Sequence, residues 1–232
     1  MEEIWAVVPA AGIGSRMKAD VKKPFIQLDG KEILVHTLEA LSAEEEIEGI
    51  VILSEKEEVK TCERLVEQYG IDKVRYILPG GSTRQQSVYR GLSALPKTCT
   101  LVLIHDAARP CITHEQLQKV IQAGLQYGAA ILTVPVKDTI KVSTDGKSIE
   151  NTPSRQTLYA AQTPQVFRYP DIYYAHSRAK ALSDLSCTDD SEIIEKYGEG
   201  TVHMVGGSYD NIKITTPEDL IAASRFLAQR GK

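Results

Sequence analysis

Ala6-Val-Val-Pro-Ala-Ala-Gly-Ile-Gly-Ser-Arg-Met17, with Lys18 and the pair Lys22-Lys23 close behind it and Pro24 next, decides how this chain folds. Ile4 to Val8 is short, β-branched and aromatic, the composition of a buried strand. Ala10, Ala11, Gly12 and Gly14 then remove side chains where the backbone must turn sharply or let a ligand approach closely. Backbone N–H groups in such a turn converge into an anion cradle. Arg16, Lys18, Lys22 and Lys23 place four positive charges within eight positions, countered only by Asp20. Fixed cations beside a cradle of this kind suit a polyphosphate. A strand-to-helix turn with a solvated basic tail is the plainer alternative, and the density of cations argues against it.

Two familiar phosphate motifs fail here. A dinucleotide fingerprint needs G-x-G-x-x-G with a carboxylate about twenty residues on; the third glycine position is Met17 and the next clear strand, Ile50 to Leu53, lies much further along. A P-loop needs G-x-x-x-x-G-K-[ST]. Gly146-Lys147-Ser148 imitates its end, but position 141 is Lys and no helical pattern follows.

Outward from the opening loop, Phe25 to Leu28 is a short extended piece turned by Asp29-Gly30, and Ile33 to Leu41 has helical periodicity. Ile47 to Leu53 reads as a strand, Glu55 to Tyr69 as an amphipathic helix closed by Gly70, and Val74 to Leu78 as a third strand. Strand alternating with helix predicts a largely parallel sheet with right-handed crossovers. Pro79-Gly-Gly-Ser-Thr-Arg84 precedes a helix over Gln85 to Leu95, with Ser82 or Thr83 as its cap, and sets a second glycine loop at the same sheet edge. Leu101 to Ile104, the most apolar strand, ends in His105-Asp-Ala-Ala-Arg-Pro110. Asp106 thereby stands where open α/β sheets hold ligands and metals, Arg109 offers a fork for phosphate or carboxylate, and His105 reads as a packed residue rather than a base.

A helix over His114 to Tyr127 and a strand over Ala129 to Val136 come next. Alternation from Lys137 to Glu150 around Asp145-Gly146 predicts a hairpin. It has little apolar content, and a lone two-stranded ribbon is marginal, so a second subunit is the economical packing partner. Asn151 to Gln162 returns to the core, Thr163 to Phe167 turns into a helix over Tyr169 to Leu182, and Thr188 or Asp189 caps another helix. Thr201 to Val205 and Asp210 to Thr215 read as short strands, and Pro217 begins the closing helix.

The chain has 232 residues and a net charge of −4, with an isoelectric point near 5.8. Such a balance disfavours a broad nucleic-acid face and confines anion binding to a local pocket. No apolar run approaches the ~20 residues of a membrane span, and the acidic start is unlike a signal peptide, so the expectation is a cytoplasmic protein. Cys62, Cys99, Cys111 and Cys187 lack metal-ligand or C-x-x-C spacing and suit apolar packing. No linker or repeat divides the chain. The expected architecture is a single α/β domain over 1–232, Rossmann-like with a mostly parallel, mixed sheet, from which 136–158 protrudes as a hairpin arm for dimerisation.

Pro9 to Arg16 with Lys23 seven residues beyond Arg16 resembles the nucleotide-binding signature of sugar-nucleotide pyrophosphorylases and related cytidylyltransferases. Gly80-Gly81 with Arg84 and Ser87, His105 to Pro110, Val136-Lys-Asp-Thr-Ile-Lys141, Thr163-Pro-Gln165 and Asp210-Asn-Ile-Lys213 follow in order. Together they make the chain, from about Ile4 to its last helix, resemble the 2-C-methyl-D-erythritol 4-phosphate cytidylyltransferase family. That resemblance implies transfer of CMP from CTP to methylerythritol phosphate with release of pyrophosphate, a step of non-mevalonate isoprenoid synthesis. It implies Arg16 and Lys23 as stabilisers of transition-state charge, joined among the catalytic residues by Arg155 and Lys213. Pro9, Ala10, Ala11, Gly12 and Gly14 would wrap the triphosphate, and Gly81 and Ser87 would face the cytosine. Asp106, Arg109, Thr188 and Lys213 would meet the acceptor, while Thr139 and Arg155 would come from the other subunit of a homodimer by arm exchange. Mg²⁺ or another divalent cation would be held mainly by CTP phosphates, with Asp106 beside it. Many relatives place proline before the catalytic lysine, so Lys22-Lys23-Pro24 leaves Lys22 as a competitor to Lys23. Ribitol 5-phosphate cytidylyltransferase and a non-catalytic nucleotide-binding regulator on the same scaffold are the alternatives; the Asp-Ala-Ala-Arg-Pro form favours the first reading, and retention of Arg16, Lys23, Asp106 and Lys213 argues against a regulator.

Overall fold

The computed structural model describes residues 2–11 and 22–230. Gly12, Gly14 and Arg16 lie outside the described residues.

β1 (Ile4–Pro9) is buried on both faces, as a central parallel strand must be. Ile4, Ala6 and Val8 join one core layer while Trp5 and Val7 join the other, the period-two alternation of a strand. A tight two-strand turn, β2 (Gln27–Leu28) and β3 (Lys31–Glu32), leads to α1 (Ile33–Ser42). Asp29 and Gly30 both take positive φ there, 50° and 84°, as a two-residue hairpin loop requires. β4 (Ile47–Ser54), α2 (Val59–Gln68), β5 (Val74–Pro79), α3 (Arg84–Ala94) and β6 (Leu101–Ile104) continue the alternation read from the sequence. They are followed by α4 (His114–Tyr127), β7 (Ala129–Pro135), β8 (Tyr159–Arg168), α5 (Tyr169–Ala181), α6 (Asp190–Tyr197), β9 (His203–Gly206) and α7 (Pro217–Arg230).

The seven-stranded sheet has the order β5-β4-β1-β6-β8-β7-β9. β8 alone runs against the others, antiparallel to both β6 and β7. On one face α1, α2 and α4 supply Leu34, Leu38, Leu65, Leu117 and Ile121; on the other α3, α5 and α6 supply Val88, Leu92, Ile172 and Ile194. Each fully buried aliphatic side chain of this kind contributes about 1.5–3 kcal/mol. The chain direction of the crossovers reverses at β1, with β4 on one side and β6 on the other. Open α/β sheets bind ligands at that reversal, beyond the carboxyl ends of the strands.

Three expectations need correction. The stretch around Thr163-Pro-Gln165 is the middle of β8 rather than a turn. Its proline is accommodated where the β7–β8 register is irregular, between Ile131 opposite Gln165 and Thr133 opposite Ala161. Asp210 to Thr215 is not a strand: Ile214 N–H bonds to the Ala108 carbonyl and the Asn211 amide to the Thr163 carbonyl, so the segment lies along the loop after β6. The 136–158 segment is largely exposed, but it is not a regular ribbon. Its pairing is reduced to one bridge, Val142 opposite Asn151, with Asp145 Oδ1 accepting from Lys147 and Ser148 N–H at the tip. Without apolar cross-strand pairs of its own, nothing in one chain extends the ladder.

Candidate active site

The carboxyl ends of β1, β4, β5 and β6 open into a cavity of about 720 Å³. Pro9 to Ala11, Lys22 and Lys23, Gly81 to Arg84, Ser87, Asp106 to Ala108 and Lys213 line it. The second glycine loop is shaped by its own side chains. Thr83 caps α3 by accepting from Gln86 N–H, and the Ser87 hydroxyl accepts from Gly81 N–H at 2.9 Å while donating to the Thr83 carbonyl. A Cβ on Gly80 would lie 2.8 Å from Ser87 Oγ and 2.9 Å from Ala11 Cβ, so glycine lets the two loops touch.

Opposite them sits a charged centre. Asp106 is buried, and its Oδ1 accepts from Arg84 Nε at 2.9 Å while Oδ2 lies 2.7 Å from Lys213 Nζ. Burial alone would raise the Asp106 pKa, but Arg84 and Lys213 hold it far below the usual carboxylate range, so it is ionised. Lys213 is delivered by the segment laid along the β6 loop, and Arg109 Nη1 donates to the Asn211 carbonyl in the same arrangement.

His105 organises that loop from beneath. It is fully buried; its Nε2 faces the Arg109 carbonyl at 3.1 Å and its Nδ1 faces Thr163 Oγ1 at 3.0 Å. A carbonyl only accepts, so Nε2 carries the proton and Nδ1 accepts from the Thr163 hydroxyl. Thr163 Oγ1 in turn accepts from Asp106 N–H. Burial pushes the His105 pKa down to about 4, keeping the ring neutral.

A smaller cavity of about 220 Å³ adjoins the first, lined by Arg109, Gln162, Thr163, Thr188 and Asp189 and sharing Arg84, Asp106 and Lys213 as a common wall. Two chambers separated by a charged partition suit two anionic substrates that must meet.

A model of the family described as IspD, 2-C-methyl-D-erythritol 4-phosphate cytidylyltransferase, matches residues 4–229. The chain belongs to this family. The 2-C-methyl-D-erythritol 4-phosphate cytidylyltransferase of Desulforamulus reducens is 44% identical over 231 residues, 99% of this chain and 98% of that protein. The enzyme of that name from Clostridium botulinum strain Langeland is 43% identical over 95% of this chain and 96% of its own. Among solved structures, the 4-diphosphocytidyl-2C-methyl-D-erythritol synthase of Anaerococcus prevotii superposes with a TM-score of 0.86 at 35% identity, covering 98% of this chain and 96% of that one.

Within this cytidylyltransferase scaffold, the residues singled out in the sequence fall into four groups. Pro9, Ala10, Ala11, Lys23, Gly81, Ser87, Asp106 and Lys213 share the larger cavity. Arg109 and Thr188 line the smaller one. Thr188 is not the cap of α6; Asp189 is, while the Thr188 hydroxyl donates to Glu192. Thr139 and Arg155 are exposed on the 136–158 segment and line neither cavity of their own chain, with Arg155 Nη1 donating to the Lys137 carbonyl. Gly12, Gly14 and Arg16 belong to the loop outside the described residues. Lys22, the competitor of Lys23, is engaged by Glu55 and, at 3.3 Å, by Glu58.

Arg84, which the sequence places among the motifs of the resemblance but without a role, and Asp190, which it does not single out, complete the charged centre. One signal was available: a cation at the first position of a helix opposes the helix dipole by about 0.3–1 kcal/mol, so Arg84 there implies a carboxylate close by. Among the described residues no group of three or more His, Cys, Asp or Glu side chains is arranged to hold a metal ion, and no helix is long and apolar enough to cross a membrane.

Proposed function

We propose that this chain transfers CMP from CTP to 2-C-methyl-D-erythritol 4-phosphate, releasing pyrophosphate and forming 4-diphosphocytidyl-2-C-methyl-D-erythritol. The observation that carries this reading is the pair of adjoining cavities divided by Arg84, Asp106 and Lys213. CTP occupies the larger, its triphosphate along Pro9, Ala10, Ala11, Gly12 and Gly14 and its base against the loop of Gly81 and Ser87. Because the Ser87 hydroxyl is already committed to Gly81 and Thr83, its part is to fix the loop whose backbone meets the cytosine. The acceptor phosphate enters beside Arg109, Thr188 and Lys213. One of its oxygens attacks the α-phosphorus in line as pyrophosphate leaves, so the protein's work is positioning and neutralisation of developing charge. Arg16, Lys23 and Lys213 supply that charge. The seven-residue spacing from Arg16 favours Lys23 over its neighbour Lys22.

A divalent cation, Mg²⁺ by preference, neutralises phosphate charge when bound. Asp106 fits it as a lone protein ligand: it is ionised, and each oxygen accepting one cationic partner retains a second lone pair. A metal held otherwise by CTP phosphates and water needs no more.

The working enzyme is a cytoplasmic homodimer in which the 136–158 arm of a single 1–232 domain reaches the partner's acceptor chamber, carrying Thr139 and Arg155. Exposed Ile140, Val142, Ile149 and Tyr159 on and beside the arm support an apolar docking role.

Purified protein with Mg²⁺ and CTP is expected to release pyrophosphate when methylerythritol phosphate is added and hardly at all with ribitol 5-phosphate. The reverse preference would overturn the acceptor assignment, and silence with both would mean a nucleotide-binding regulator.

A further inference from the structure

The partition between the chambers is anchored from behind. Arg84 Nε is taken by Asp106, while Nη1 lies 2.8 Å from Oδ2 of Asp190, a carboxylate with no exposed surface. The other Asp190 oxygen lies 3.1 Å from Nε2 of His176, which is 1% exposed. Gln165, in the middle of β8, accepts from Asp190 and Ser191 N–H and fixes the start of α6. Arg84 of α3 and His176 of α5 therefore meet on one buried carboxylate of α6, whose backbone β8 holds through Gln165, and that carboxylate lines neither cavity.

We propose that Asp190 and His176, acting through Arg84, are positioning residues that hold Asp106, and Lys213 with it, in the productive arrangement. With Asp106 as sole partner, an arginine on a flexible stem could follow it in any direction. Forked between two carboxylates, the rigid guanidinium plane is fixed at one end by the protein interior and presents one defined direction to Asp106. A buried ion pair is poor evidence for a stabilising role, since apolar residues of the same volume commonly serve stability as well or better. What it supplies here is direction. A purely architectural role for Asp190, as an N-terminal residue of α6 in a favourable dipole, leaves unexplained why the carboxylate is aimed at Arg84 instead of the helix's free N–H groups, which Asp189 caps.

This inference rests on the proposed transfer reaction. The test is a double-mutant cycle on steady-state kinetics with Asp190→Asn, Arg84→Met and the pair, each confirmed folded by circular dichroism. Asp190→Asn is expected to lower kcat/KM for the acceptor about 10- to 100-fold, the range for removing a group that orients a ligating side chain, with KM for CTP changed less than about threefold. In the Arg84→Met background the same substitution is expected to change kcat by less than about twofold, because its route to Asp106 is gone. Should Asp190→Asn fail to fold, His176→Gln enters the same cycle with a smaller loss of the same non-additive form. A folded variant with wild-type kinetics, or losses that multiply, overturns the relay. Absence of wild-type turnover refutes the transfer reaction itself and the relay's catalytic role with it; an active wild type beside an unaffected Asp190→Asn refutes the relay alone.

Discussion

Replacing His105 with glutamine should remove a defined share of the protein's sensitivity to acid. His105 is fully buried and neutral, with its pKa lowered from 6.5 to about 4. The unfolded chain therefore binds a proton between those values that the folded chain refuses. A depressed folded-state pKa contributes stability that is complete above 6.5 and is lost progressively as the pH falls towards 4. The gap caps the contribution at about 3.4 kcal/mol, and about 2 kcal/mol of it disappears between pH 7 and pH 5. The amide introduced by His105→Gln would keep a donor for the Arg109 carbonyl but lose the acceptor for Thr163, costing about 1 kcal/mol at neutral pH. Urea midpoints at pH 8, 7, 6 and 5 give the comparison, using the native slope to convert midpoints to free energies. The wild type should be the more stable protein at pH 7 and should lose that advantage by pH 5. Parallel loss of stability in the two proteins would refute the reasoning, because it would mean that His105 takes up its proton without unfolding the loop.

Lys23→Ala should lower kcat by about 100-fold or more while leaving CTP affinity within a few fold, as expected for a charge that acts on the transition state; a change confined to affinity, read by calorimetry, would make it a ground-state contact. Gly91→Ala should destabilise the protein despite a gain of about 1 kcal/mol in helix propensity. The new Cβ would lie 2.6 Å from Val7 Cγ1 and 2.8 Å from Leu53 Cδ2, and overpacking of that kind costs about 1–3 kcal/mol; thermal denaturation decides the sign. Gel filtration with light scattering should give twice the chain mass, and an active monomer would remove Thr139 and Arg155 from the site.

β1 was legible because its burial on both faces leaves an unbroken apolar run, and the loops after β1, β5 and β6 announced themselves through small residues and charges at strand ends. β8 was not, because Thr163-Pro164 reads as punctuation and only the irregular register against β7 tolerates it. Asp210 to Thr215 has the alternation of a strand, yet its backbone partners are the loop of Ala108 and Thr163, which local sequence does not disclose. Arg84 looked ordinary because its partners are remote: Asp106 lies 22 residues away and Asp190 in another helix altogether. The tip of the 136–158 segment was written in Asp145-Gly146, whereas the extent of its pairing depends on what it packs against.

The neck of that segment carries a consequence of its own. Pro135 and Tyr159 face each other in the β7–β8 register, and Val136 N–H bonds to the Leu158 carbonyl. Everything between them leaves the sheet and returns to the same point, so topologically it is an insertion at the tip of an antiparallel pair. Excising it in favour of a two-residue turn should leave a chain that still folds, since hairpins close readily over short loops. Folding would thus be separable in the gene from the segment's proposed part in acceptor binding, and the segment could diverge, or be exchanged between relatives, without the rest of the sheet having to change.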